Sequence, residues 1–183
     1  MKKIISKKIK NSINTVPDFP KKGIMFRDIT SLINNTRVFK IVIDEIIQIA
    51  KEKKINKIVG IDSRGFIFAA PIAYKMNIPL ILVRKKGKLP SSSYKVKYAL
   101  EYGFDILEIN KDSINRADRI MVIDDLIATG GTALATSKLI SKSSSKKINF
   151  VFVIELEDLP GVAKLKKLGH TIKTLCSFKE EER

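Results

Sequence analysis

Residues 121–133 read MVIDDLIATGGTA. Met121, Val122 and Ile123 form an apolar run without polar alternation, the pattern of a strand buried on both faces. Two carboxylates, Asp124 and Asp125, follow at once. Within a few residues come Thr129, Gly130, Gly131 and Thr132, and then Ala133, Leu134, Ala135 and Leu139 at spacings that suit a helix. The acids and the glycine pair therefore stand where the carboxyl end of a strand turns into a helix. Open α/β sheets bind ligands at that place.

The rest of the chain agrees with such a sheet. Residues 37–51 carry Val38, Ile41, Val42, Ile46 and Ile49 at helical spacing. KIVGI (57–61) reads as a strand, 66–74 as a helix and PLILV (79–83) as another strand. Residues 107–109 suggest a short strand. A helix is expected from about Thr132, a strand over 150–154, a helix over 162–168 and a last strand from Ile172. Strands alternating with helices predict an α/β fold, a mainly parallel central sheet with helices on both faces. KGKLPSSSYKVK (86–97) is polar and serine-rich, and is expected to be a long mobile loop. Ile4, Ile5, Ile9 and Ile13 fit one face of a short N-terminal helix. The serine and lysine cluster at 141–147 reads as a helix-to-strand turn.

At 183 residues the chain is most simply one domain, 1–183. No apolar run approaches the roughly 18 residues of a membrane span, and MKKIISKKIKN lacks the apolar region of a secretory signal. Cys176 is the sole cysteine. An internal disulfide is therefore excluded, a cytoplasmic location is expected, and the thiol is expected to be buried. The net charge of +16 suits an anionic partner. It is spread along the chain and carried mostly by Lys, in a sequence also rich in Ile and Asn. These residue types share AT-rich codons, which is a competing source of the excess. Neither a membrane nor a nucleic-acid partner is expected.

The glycine stretch is neither a P-loop, which needs a Lys after its last glycine, nor a dinucleotide fingerprint, which needs G-x-G-x-x-G. Two glycines before a helix let several N–H groups face one anion, and the helix N-terminus adds partial positive charge. This is a phosphate cradle without a lysine. Carboxylates beside a phosphate repel it unless they face hydroxyls or a metal. A ribose phosphate satisfies both halves. The alternative on these residues alone is a plain strand-turn-helix connection with Asp125 as a cap.

VIDDLIATGGT (122–132) resembles the phosphoribosyl pyrophosphate motif of the type I phosphoribosyltransferases. PDFPKKGIMFRDIT (17–30), GIDSRGFIFAAPIA (60–73), VRKKGKLP (83–90) and YALEYGFDILEI (98–109) resemble the adenine phosphoribosyltransferase family, in the same order. The similarity weakens over the first ten residues and after Glu155. It implies a type I phosphoribosyltransferase fold with a small N-terminal hood, and a homodimer. The implied reaction is adenine plus phosphoribosyl pyrophosphate giving AMP plus pyrophosphate. Mg2+ would be carried by the pyrophosphate substrate, without direct protein ligation.

Site residues follow from the same resemblance. Asp124, Asp125, Ala128, Thr129, Gly130, Gly131 and Thr132 are expected to bind the phosphoribosyl group and AMP. Ser63, Arg64, Arg84, Lys85 and Lys88 are expected to contact pyrophosphate, Arg64 through a planar guanidinium suited to bidentate contact. Lys86 stands where the family also shows arginine. Glu101 and Tyr102 are the catalytic candidates: a carboxylate near the purine can stabilise a cationic ribosyl centre or take a proton. Met25, Phe26 and Arg27 are the adenine candidates, Phe26 for stacking, Met25 through its backbone, and Arg27 either toward a purine nitrogen or paired with Asp28. The family's pyrophosphate turn often holds a cis peptide that does not precede proline, expected here at Asp62–Ser63 or Ser63–Arg64, the first preferred. His170, the single histidine, is assigned no role. The other readings are a transferase for another purine base and a phosphoribosyl pyrophosphate-sensing DNA-binding regulator without turnover.

Overall fold

The computed structural model describes residues 2–99, 103–143 and 147–179. Its centre is a seven-stranded sheet. In chain order the strands of the molecule are β1 (Asn14–Val16), β2 (Phe26–Asp28), β3 (Lys57–Ile61), β4 (Leu80–Lys85), β5 (Ser93–Ala99), β6 (Phe104–Asn110), β7 (Ile120–Ile127), β8 (Asn149–Leu156) and β9 (Thr171–Phe178). The helices are α1 (Lys2–Lys10), α2 (Ile29–Asn34), α3 (Thr36–Glu52), α4 (Gly65–Met76), α5 (Gly131–Ser141) and α6 (Gly161–Lys167). The sheet order is β5-β6-β4-β3-β7-β8-β9. Strands β4, β3, β7, β8 and β9 run parallel, and β6 and β5 add antiparallel at one edge. This is the mainly parallel sheet expected.

Each face of the sheet buries its own apolar cluster. On one, Ile58, Met121, Ile123 and Val151 meet Val42 and Ile46 of α3 and Phe68 and Ile72 of α4. On the other, Val59, Val122 and Phe150 meet Leu139 and Ile140 of α5 and Leu165 of α6. The central strands are buried on both faces, which is why they read as unbroken apolar runs. Ile9 and Ile13 are buried as well, although α1 ends before Ile13. Strands β1 and β2 form a separate antiparallel pair that, with α1, is the small N-terminal hood.

Three expectations need correction. The stretch 86–97 is not a loop throughout, because residues 93–99 are β5, paired along its length with β6. SYKVKY alternates Tyr94, Val96 and Tyr98, which pack on the core, with exposed Lys95 and Lys97. That period of two outweighs its polar composition. Only 86–92 connects the strands. Next, β7 does not stop before the acids: it runs to Ile127 and stays paired with β8 there, so both aspartates lie within the strand. The cap of α5 is Gly130, with φ +83° and no side-chain cap bond, which removes the capping role for Asp125. Cys176 is buried as expected, and burial pushes its thiol up to about 12. His170 joins Ser137 of α5, Nε2 to Oγ at 2.6 Å, and accepts from Ile148 N–H through Nδ1.

Candidate active site

Strands β3 and β7 lie side by side, but the chain leaves β3 toward β4 and leaves β7 toward β8. The sheet's winding reverses between them, and a crevice opens at their carboxyl ends. A cleft of about 860 Å³ lies there. It is lined by Asp62, Ser63 and Arg64 after β3, by residues 124–133 from β7 into α5, and by Lys85, Tyr98, Ala99, Asp105 and Phe152.

The turn after β3 is held close against β7. A Cβ on Gly65 would stand 2.6 Å from the Ile123 carbonyl oxygen and 3.0 Å from Asp124 Oδ1. Only glycine lets α4 start there. The Asp62–Ser63 peptide is cis, at the preferred position. The Asp62 carboxylate accepts from Arg84 Nε at 2.9 Å and from Lys85 N–H at 3.3 Å, which ties β4 to this turn.

The turn after β7 is built from backbone. Residues 128–130 carry the chain into α5, whose first intrahelical bond runs from Leu134 N–H to the Gly130 carbonyl. No side chain among the described residues caps the helix, and the residues that carry its leading N–H groups line the cleft. Gly131 is packed by β5, where a Cβ would meet the Ala99 carbonyl at 3.3 Å.

Between the two turns stand the acids. The Asp124 carboxylate accepts from Asp125 N–H at 2.9 Å. Burial, and then the neighbouring Asp125, holds the Asp124 carboxyl well above the ordinary aspartate range. Burial also raises Asp125, while the Arg64 guanidinium opposes the shift. Arg64 Nε lies 3.0 Å from Asp125 Oδ2, yet that oxygen is buried without a hydrogen-bond partner among the described residues. The contact is therefore a charge pair out of hydrogen-bond alignment. A buried acceptor without a hydrogen bond, beside the N–H groups of a helix start, suits a ligand with hydroxyls next to an anion.

Of the expected pyrophosphate residues, Ser63, Arg64 and Lys85 line the cleft. Arg84 stands one carboxylate away, on Asp62, and Lys88 lies on an exposed turn. Neither Met25, Phe26 nor Arg27 is among the lining residues. The Phe26 ring lies under the Arg64 guanidinium at 5.7 Å and edge-on to Phe19 at 5.0 Å, so it borders the pyrophosphate turn. Arg27 is buried. Its guanidinium donates to Thr15 and to the Lys179 carbonyl and covers the Phe178 ring, tying the hood to the end of β9. Glu101 and Tyr102 lie outside the described residues, in the stretch between Ala99 and Gly103.

Sequence reasoning missed Asp62, Tyr98 and Asp105. Burial raises the Tyr98 hydroxyl's pKa, and Thr132 and Asp105 are its neighbours. The alternation of Tyr94, Val96 and Tyr98 was the available signal.

A phosphoribosyl transferase domain matches residues 28–176. The adenine phosphoribosyltransferase of Haemophilus ducreyi is 51% identical over 170 residues, covering 93% of this chain and 95% of that protein. Among solved structures, the adenine phosphoribosyltransferase of Thermoanaerobacter pseudethanolicus superposes with a TM-score of 0.87 at 39% identity, covering 94% of this chain and 99% of the other. The Saccharomyces cerevisiae enzyme complexed with D-2,5-dideoxy-2,5-imino-altritol 1,6-bisphosphate and adenine gives a TM-score of 0.87 at 34% identity, over 94% and 99%. The chain belongs to the adenine phosphoribosyltransferase family, within the phosphoribosyl transferase domain proteins.

Proposed function

We propose that this chain transfers the phosphoribosyl group of phosphoribosyl pyrophosphate to adenine, giving AMP and pyrophosphate, as a purine-salvage enzyme. The observation that carries the reading is the pairing, in one crevice, of a glycine turn with the carboxylates of half-buried Asp124 and buried Asp125. The 5′-phosphate occupies the backbone of Ala128, Thr129, Gly130, Gly131 and Thr132. The ribose 2′ and 3′ hydroxyls donate to Asp124 and Asp125. Ser63, Arg64 and Lys85 receive the pyrophosphate, with Arg84 and Lys88 reaching it from the β4 edge. Adenine lies toward Met25, Phe26 and Arg27.

In the reaction an adenine nitrogen forms a bond to the ribose anomeric carbon as the carbon–oxygen bond to pyrophosphate breaks. The electron pair of that bond leaves on pyrophosphate. The nitrogen's proton goes to Glu101, with Tyr102 orienting or covering that carboxylate. As the bond breaks, the ribosyl centre becomes cationic, and the carboxylates of the cleft stabilise that charge.

The cleft's oxygen donors, from Asp62, Asp124, Asp125, Thr129 and Thr132, are the hard ligands magnesium takes. No cluster of three or more metal-ligating side chains occurs among the described residues. An ion carried by the diphosphate would come nearest the two aspartates. When bound, it would neutralise the leaving group's charge.

The two apolar clusters share one sheet, which supports one domain over 1–183. Ile67 and Tyr74, exposed on α4, support a homodimer through that helix. The lone buried thiol suits the cytoplasm, and no described helix is long and apolar enough to cross a membrane. The test is incubation with phosphoribosyl pyrophosphate and magnesium against adenine, hypoxanthine and guanine. The reading expects AMP and pyrophosphate from adenine alone. Turnover of another base changes the specificity. No turnover together with sequence-selective DNA binding favours the regulator.

A further inference from the structure

The phosphate turn is gripped from outside the cleft by the start of α6, a segment the proposed reaction does not use. Gly161 N–H donates to the Ala128 carbonyl at 3.0 Å, and Lys164 Nζ donates to the Thr129 carbonyl at 3.1 Å. The fit is close. A Cβ on Gly161 would stand 2.4 Å from the Ala128 oxygen and 3.0 Å from Gly130 N, and one on Gly130 would stand 2.8 Å from Gly161 Cα. Two glycines face each other because neither position has room for a side chain.

The two accepting carbonyls belong to successive peptide groups. In a trans peptide the C=O and N–H point in opposite directions. A carbonyl drawn toward α6 turns the next residue's N–H away from α6, toward the side where the cleft lies. Fixing Ala128 O and Thr129 O thus fixes the N–H groups of Thr129 and Gly130.

We propose that Gly161 and Lys164 are positioning residues that lock the carbonyls of Ala128 and Thr129, and so aim the turn's N–H groups at the ligand's 5′-phosphate. The inference rests on the phosphoribosyl reading of the cleft. Preorganised donors lose little on binding, whereas a turn free to rotate its peptides would meet the phosphate with carbonyl oxygens part of the time. Lys164 also brings a positive charge within one peptide of the anion.

The test compares AMP with adenosine, which differ only by the phosphate, in calorimetric titrations of the full chain. The variants are Lys164→Ala, Gly161→Ala and, as a control on the same helix, exposed Lys167→Ala. Lys164→Ala is expected to bind AMP about three- to tenfold more weakly, the size of one hydrogen bond on the affinity scale. Gly161→Ala is expected to lose more than about tenfold. Adenosine binding should not change in either, and Lys167→Ala should match wild type. Lys164 is exposed, so the test stands on that variant even where Gly161→Ala does not fold. AMP affinity in Lys164→Ala equal to that in Lys167→Ala would overturn the clamp. So would equal weakening of AMP and adenosine, which would mark a general structural loss. Wild-type protein that binds no AMP would overturn the functional reading instead.

Discussion

On the β7 side of the cleft, the groups open to an anion are backbone N–H groups of a glycine turn, fixed by backbone contacts with α6 and β5. On the β3–β4 side they are guanidinium and ammonium groups, and three of them already face carboxylates. Arg64 pairs with Asp125 at 3.0 Å, Arg84 with Asp62 at 2.9 Å and Lys85 with Asp105 at 3.5 Å. The first half is set before a ligand arrives. In the second, a phosphate must share or displace an existing partner, and its net gain is correspondingly smaller and more sensitive to salt. A group that stays with the product is well served by the rigid half, and a leaving group by the exchangeable one.

The largest expected effect breaks the rigid half. Gly130→Ala places a side chain at φ +83° and 2.8 Å from Gly161 Cα. Left-handed strain and overpacking together should cost about 2–5 kcal/mol. The expected result is a loss of at least about tenfold in kcat/KM for phosphoribosyl pyrophosphate, with tertiary structure checked by near-ultraviolet circular dichroism. Wild-type kinetics in this variant would show that the turn need not be rigid.

The acids between the halves come next. Asp124→Asn and Asp125→Asn each lose a charge-assisted acceptor, worth about 1.5–3 kcal/mol in phosphoribosyl pyrophosphate use. Asp124→Asn should at the same time melt higher. The folded protein holds the Asp124 proton more tightly than the unfolded chain does, so stability falls as pH rises from the ordinary 3.8 through the raised value. The asparagine removes that penalty at neutral pH, and its amide oxygen can still accept from Asp125 N–H. The gain should vanish as pH falls toward 3.8. A lower melting temperature at pH 7 would contradict the raised carboxyl.

Arg64→Ala sharpens the contrast from the other half. Arg64 is 41% exposed, so its loss should raise KM for phosphoribosyl pyrophosphate by only about 0.5–1 kcal/mol. Its guanidinium also opposes the rise of the Asp125 carboxyl, so the acid limb of kcat/KM should move to higher pH. An unmoved limb would mean that Asp125 ionisation does not control binding.

The smallest effect belongs to Lys85→Ala. It should be near wild type at 0.15 M salt, where exposed charges are screened beyond about 8 Å, and clearly weaker only at low ionic strength. A large, salt-independent loss would place Lys85 among the fixed contacts.

Much of this division was legible in the sequence. MVIDDLIATGGTA named the backbone turn because glycines and uninterrupted apolar runs have local causes. DSRG and VRKKGKLP named the cations. The carboxylate partners were not legible, because Asp62 and Arg84 are brought together only by the pairing of β3 with β4. The contacts of Arg27 are not legible for a similar reason: Lys179 lies 152 residues along the chain, with Phe178 next to it. Gly161 carries no signal in the sequence, since its need for no side chain arises only against the turn at Ala128 and Gly130. Strand β5 reads as a loop in the sequence because its serine and lysine content masks the alternation beginning at Tyr94.

A crystal structure with AMP, pyrophosphate and magnesium tests the central claim most directly. The account predicts the 5′-phosphate on the N–H groups of residues 129–132, the ribose hydroxyls on Asp124 and Asp125, and pyrophosphate against Ser63 and Arg64. AMP bound in the opposite sense, with its phosphate on Arg64 and its base over the glycine turn, would contradict it.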